Sequence, residues 1–153
     1  MSVAQSPELA VQQGEHRRLS HEECTSCLAT SHEGRLGYLS GRGHRRVVTR
    51  YVLSGDHIIF RVPDYNDAAH YAPGAVVSLV VEGTSETVGD HRSVRVSGRA
   101  TLVSPDVVLP TQEKHLDRWP PEVATSLIRL PLASVSGVVR TPVPAARSRQ
   151  VAQ

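Results

Sequence analysis

The chain is short of the residues and motifs that mark most common enzyme classes. Its 153 residues hold one lysine, one tryptophan, one phenylalanine, one methionine and two cysteines, and aromatics make up only 4%. No run of 18 apolar residues occurs, so no membrane span is expected. The opening MSVAQSPELAVQQGEHRRLS has neither a basic start nor an apolar h-region. It therefore does not read as a secretion signal, and a cytoplasmic location is expected. GxGxxG, Walker, GxSxG and HExxH motifs are missing, which argues against Rossmann, P-loop, hydrolase and zincin mechanisms. The eight histidines show no HxxxH or HxH spacing, so no zinc site is expected. A formal charge of +2 is too small to point to nucleic acid.

What is present is ordinary in bulk and uneven in kind. Apolar content of 39% with 21% charged residues suits one soluble domain. A chain of this length buries roughly 68–70% of its unfolded surface. Lys114 is the single lysine and every other basic side chain is arginine. Guanidinium groups suit planar, two-point contacts with phosphate or carboxylate, although GC-rich coding produces the same bias. Cys24 and Cys27 form a CxxC, yet Ser20 and Glu23 spell a capping box that places both thiols one turn apart on one helix. That context predicts packed thiols rather than a redox or metal pair.

Along the chain, residues 1–18 read as a flexible arm and 141–153 as a flexible tail, leaving 19–140 as the folded domain. A capped helix is expected over 20–29, followed by strands at 35–40, 47–53, 57–62, 75–82, 93–103, 126–130 and 135–140. Ser54-Gly55-Asp56 joins two of them as a hairpin turn. The run 75–82 is almost continuously apolar, as for a strand buried on both faces. Gly98 marks a bulge or a close backbone approach. Asn66 or Asp67 caps a short helix over 68–71, and another short helix is expected near 111–118. The pattern predicts a mainly β (α+β) domain: a six- to seven-stranded antiparallel barrel with short peripheral helices.

The segment Arg45–Asp67 is the most suggestive, because its hairpin delivers Arg61 to a strand end beside a loop that leads into a helix. Such a strand end can hold an anion. It can equally be a surface cation paired with Asp64 or Asp67.

The order of several pieces resembles the pyridoxamine 5′-phosphate oxidase-like, flavin-binding split-barrel family. They are Leu19–Cys24, Gly34–Gly37, Arg45–Tyr51, Gly55-Asp56, Ile59–Arg61, Val94–Ala100, Trp119-Pro120, Leu127–Leu130 and Val135–Gly137. The resemblance implies a homodimer with flavin mononucleotide (FMN) in a groove between subunits, acting as an oxidoreductase on a small molecule. It places Val48, Thr49 and Arg50 along the flavin ring and Arg61 on the phosphate, with Val62, Asn66 and Asp67 at neighbouring phosphate-loop positions. Three of these depart from the family pattern. Val48 replaces a proline, Val62 a threonine, and Asp67 a lysine that grips the phosphate. Two like charges about 4 Å apart repel by roughly 4 kcal/mol at an effective dielectric of 20, so Asp67 opposes a dianion placed there.

Other ligands remain open at this level. Arg42, Arg45, Arg46 and Arg50 form either a solvated face or a basic rim for a multiply anionic cofactor such as deazaflavin F420. Arg92, Arg95 and Arg99 are expected on one side of a strand near the dimer groove. Trp119 reads as a groove-covering hydrophobe, and Tyr65 as a packing residue able to stack on a ring. A haem-binding barrel would use His57, His70 or His91, and a third reading keeps the dimeric fold without cofactor.

Overall fold

A computed structural model describes residues 15–84 and 89–141. Residues 1–14 of the expected arm, 85–88 of the polar turn and 142–153 of the tail lie outside the described residues. The described chain contains nine strands in the order β1-β9-β6-β5-β2-β3-β4-β8-β7, every neighbouring pair antiparallel. They are β1 (Glu15–Arg18), β2 (Glu33–Ser40), β3 (Gly43–Ser54), β4 (His57–Pro63), β5 (Val76–Thr84), β6 (His91–Arg99), β7 (Thr101–Val103), β8 (Thr125–Pro131) and β9 (Ser134–Thr141). Three helices accompany them: α1 (His21–Thr30), α2 (Ala68–Tyr71) and α3 (Pro110–Glu113), with a 3₁₀ turn at Pro105–Val107.

Two devices turn this ribbon into a split barrel. Strand β3 is 12 residues long, pairing with β2 over Gly43–Arg50 and with β4 over Tyr51–Ser54, so one strand serves both halves. Strand β7 continues β6 after a break at Ala100, whose N–H and carbonyl are taken by Ala75 and Gly74 (2.9 and 2.7 Å). Because β7 pairs with β8, the far edge of the strand order is brought back to β6. The break splits the strand expected over 93–103, and Glu15–Arg18, assigned by composition to the arm, pairs with β9. These two changes raise the count from seven to nine. Gly98 is neither a bulge nor a close approach: it pairs in register with Val77, and a Cβ there would make ordinary contacts of 3.4 Å to Pro131 and 3.5 Å to Leu130.

The hairpin turn between β3 and β4 is two residues long, because Ser54 pairs with His57. Gly55 occupies its first central position at φ +58°, as a type II′ turn requires. Helix α1 begins on the expected box: Ser20 Oγ accepts from Glu23 N at 3.1 Å, and Glu23 Oε1 accepts from Ser20 N at 2.8 Å. Its buried face carries Cys24, Cys27 and Leu28, and both cysteines are free thiols. Burial pushes both thiols above their ordinary pKa, so they are packing groups rather than nucleophiles. The buried Tyr51 hydroxyl donates to the Leu28 carbonyl at 2.7 Å, tying the helix to the barrel.

The main core gathers Tyr51, Phe60, Leu28, Leu36, Ile58, Leu79, Ile128 and Leu130 inside the barrel. A second cluster of Val52, Ile59, Leu116 and Leu127 lies apart from it. Here the expectation for residues 75–82 needs correcting. In β5 only Val77, Leu79 and Val81 are buried, and Val76 is 64% exposed, because a closed barrel has a single interior. The doubly covered strand is β4, where Ile58 and Phe60 face the core and Ile59 packs under Leu116.

Candidate functional site

Alternation along β4 decides what its end can offer. Ile58, Phe60 and Val62 point inward, so Arg61 points outward, its side chain only 15% exposed. It lines a groove of about 510 Å³ with Leu102, Val103, Trp119 and the prolines that follow Trp119. This volume lies within the roughly 300–1,000 Å³ typical of small-molecule sites. The Trp119 indole Nε1 is buried and has no hydrogen-bond acceptor among the described residues. Its ring meets Tyr65 edge-on at 6.0 Å and 88°. The groove thus joins an apolar wall to one cation.

The guanidinium of Arg61 is already engaged. Its Nη1 lies 2.6 Å from Glu113 Oε1 and also donates to the Asp117 carbonyl at 3.4 Å. The Arg61 bond holds the Glu113 carboxyl below its ordinary pKa, so it stays ionised at neutral pH. Both partners come from the segment after the 3₁₀ turn, which is fastened across β3 and β4. Leu116 is 2% exposed beneath this segment. Asp117 Oδ2 accepts from Arg50 N at 3.2 Å, and Arg50 Nε donates to the His115 carbonyl at 2.9 Å. The His115 ring stacks on His32 at 4.0 Å, and partial burial, then His32, lowers its pKa.

The sequence-predicted residues are spread over three places. Arg61 alone faces the Trp119 groove. Val62 is 2% exposed and packs in the core, so its side chain points away from the Arg61 groove. Thr49 is 2% exposed, its hydroxyl donating to the Arg50 carbonyl at 3.1 Å, and the Arg50 N–H is taken by Asp117. Val48, 57% exposed, lines a separate groove with Glu33, Arg35 and Glu82. Asn66 Oδ1 accepts from Ala68 N at 2.9 Å and so starts α2, whereas Asp67 makes no side-chain cap.

Asp67 instead accepts a bond from the buried Tyr38 hydroxyl and lies 3.5 Å from Arg45 Nε. Burial, then the Asp67 carboxylate, pushes the Tyr38 phenol up to about 12. Tyr65 lines this Tyr38–Asp67 groove and touches Trp119, so it stands between the two grooves. Neither expected carboxylate pairs with Arg61, because Asp64 Oδ1 accepts from Ser126 Oγ at 2.6 Å. The arginines of β6 also divide. Arg95 and Arg99 share the outer face, but Arg92 falls on the opposite one, lining a groove with Cys27 and Ser31, since residues three apart on a strand cannot share a side. His57, His70 and His91 do not line the Arg61 groove. Among the described residues no three His, Cys, Asp or Glu side chains are grouped to hold a metal ion.

An antiparallel barrel of this strand order, with one long strand serving both halves, is a split barrel in architecture. Comparison with known proteins gives the family. The sequence model of pyridoxamine 5′-phosphate oxidase matches residues 20–139, and the chain belongs to that family. Among curated proteins none matches. Solved structures share the fold. A FAD-binding protein from Mesorhizobium loti is 24% identical, covering 82% of this chain and 99% of its own, with a TM-score of 0.69. A FAD-binding protein from Mycobacterium smegmatis is 19% identical over 82% and 98%, with a TM-score of 0.64. A FAD- and haem-binding protein from the same organism is 14% identical over 88% and 78%, with a TM-score of 0.68.

Glu113, His115 and Asp117 were not found by sequence reasoning. Nothing periodic marks them, and their partners are brought close only by the docking of Leu116.

Proposed function

We propose that the protein binds a flavin in the Arg61–Trp119 groove and serves as a flavin-type oxidoreductase for a small-molecule substrate, as a cytoplasmic homodimer. The observation that carries the reading is Arg61 at the end of β4, opening into a groove walled by Leu102, Val103 and Trp119. A planar ring with acceptors on its edge suits that combination. It would lie on the apolar wall and turn one polar edge to the guanidinium. Family membership, and FAD-binding proteins among the similar folds, support the same reading. A bound flavin supplies the redox chemistry, and the protein's part is to bind, orient and exclude water. Arg61 and Trp119 orient the ring, while Tyr65 shields its edge.

The fit at the phosphate end is poor. Glu113 already sits on Arg61, and Asp67 pairs with Arg45 where the family pattern has a lysine. The second copy would cover the outer face of β2, β3, β5 and β6, where Leu39, Val48 and Val76 are 66%, 57% and 64% exposed. Light scattering at micromolar concentration tests the dimer.

The flavin reading is tested by titrating purified protein with FMN, FAD, deazaflavin F420 and haem, following ligand absorbance and fluorescence. The expected outcome is saturable flavin binding that weakens about tenfold or more in Arg61→Ala and in Trp119→Ala, a loss of about 1.4 kcal/mol or more. Haem binding with a Soret shift that a single His→Ala change abolishes, and no flavin binding, would replace the reading with a haem one.

A further inference from the structure

The cations expected to grip a phosphate are neutralised from within the chain. Arg61 Nη1 gives its two donors to Glu113 Oε1 at 2.6 Å and to the Asp117 carbonyl at 3.4 Å. The Glu113 side chain is 45% exposed, but the backbone on both of its flanks is fastened. Before it, Gln112 and Glu113 donate their N–H groups to the Leu109 carbonyl at 2.9 and 3.0 Å, and Gln112 Oε1 accepts from Leu109 N at 2.8 Å. After it, Leu116 is buried against Val52, Ile59 and Leu127, and Asp117 holds the Arg50 N–H. The carboxylate therefore occupies Nη1 of Arg61, a donor that a ligand's anionic group could otherwise use. A second carboxylate, Asp64, is bonded to Ser126, itself a lining residue. Of the other cations here, Arg50 gives its Nε to the His115 carbonyl and Arg118 lies close enough to Glu113 to help hold its carboxyl low.

We propose that Glu113 is a specificity determinant, a tethered carboxylate that fills the anion-binding edge of Arg61. The groove consequently selects an uncharged planar heteroaromatic ring over the same ring bearing a terminal phosphate. This rests on the flavin reading above and refines it to the riboflavin moiety. A carboxylate matches a guanidinium in geometry but carries less charge than a phosphate dianion, which would displace it from a free Arg61. Here displacement would leave Glu113, held by its turn, facing a dianion across a short distance. Ligand phosphate therefore gains little from Arg61 as long as Glu113 is present.

The test compares riboflavin with FMN, which differ only in the phosphate, on the wild type, Glu113→Gln and Glu113→Ala. In the wild type the two dissociation constants are expected within about threefold of each other. In both variants FMN is expected to tighten by about tenfold or more relative to riboflavin, while riboflavin itself changes little. Wild type that prefers FMN by tenfold, or variants that leave the ratio unchanged, would overturn the proposal. If neither flavin binds, the flavin reading fails and a ligand-independent arm decides this one. Inorganic phosphate and pyrophosphate should raise the melting temperature of the Glu113 variants more than that of the wild type. An equal rise in all three proteins sinks the proposal. A variant that fails to fold is replaced by Glu113→Asp, which keeps the charge but withdraws it from Arg61.

Discussion

Replacing Leu116 by alanine probes the packing on which the candidate site depends. Leu116 is 2% exposed and shares the second cluster with Val52, Ile59 and Leu127, with Val103 and Val108 at its margin. Truncating a buried leucine costs about 2–5 kcal/mol, the upper values arising where the surroundings cannot relax. This cluster has four buried members and a partly exposed margin, so some collapse is possible and about 2–3 kcal/mol is expected. With a urea slope of about 1–3 kcal/mol per molar, the unfolding midpoint should fall by roughly 0.7–3 M at unchanged slope. The readout is far-UV circular dichroism against urea. Because Glu113 and Asp117 are fastened through the same segment, Leu116→Ala should also loosen their hold on Arg61. A midpoint shift below about 0.3 M, less than about 0.9 kcal/mol on the same slope, would refute the reasoning: the segment would not be docked as described.

Three further outcomes follow from separate parts of the fold. A Cβ on Gly137 would lie 2.9 Å from Leu19 Cδ1 and 3.0 Å from both Cys24 Sγ and the Ser93 carbonyl, so Gly137→Ala should destabilise by about 1–3 kcal/mol in thermal or urea unfolding. Glu23 makes paired 3.0 Å bonds with Arg17 and accepts from Ser20 N, and these hold its carboxyl at about 2, below the ordinary 4.5. A depressed carboxylate stabilises the fold above its unfolded pKa and loses that contribution as pH falls toward the folded one. Melting temperature should therefore decline between pH 4.5 and about 2, and less steeply in Glu23→Gln. Cys24 and Cys27 should resist a thiol reagent at neutral pH in the folded protein and react promptly once it is unfolded; fast labelling of the native state would contradict their burial.

The elements easiest to read were those set by local chemistry. Ser20 and Glu23 specify the start of α1, and Gly55 specifies the β3–β4 turn, because capping and positive φ are decided within a few residues. Strand number was harder. Glu15–Arg18 is polar and becomes a strand only by pairing with β9, while the interruption at Ala100 depends on Gly74 and Ala75 taking its backbone bonds. Arg61 was legible at the site because alternation with buried Ile58, Phe60 and Val62 leaves it no inward place. The same alternation, applied to Val62, would have placed that residue in the core from the outset. Glu113 and Asp117 were not legible, since a carboxylate's partner is chosen by tertiary docking and Asp64 and Asp67 were nearer in sequence. Asp67, expected to face a ligand phosphate, is instead committed to Tyr38 and Arg45.

Trp119 is the only tryptophan in the chain and lines the groove with Arg61, so its fluorescence reports occupancy of the site without a label. Riboflavin titrated into the purified protein should quench that emission to saturation, beyond the attenuation of free tryptophan at matched absorbance, and Arg61→Ala should shift the curve to higher concentration. Emission that follows the free-tryptophan control throughout would contradict a flavin ring in the Arg61–Trp119 groove.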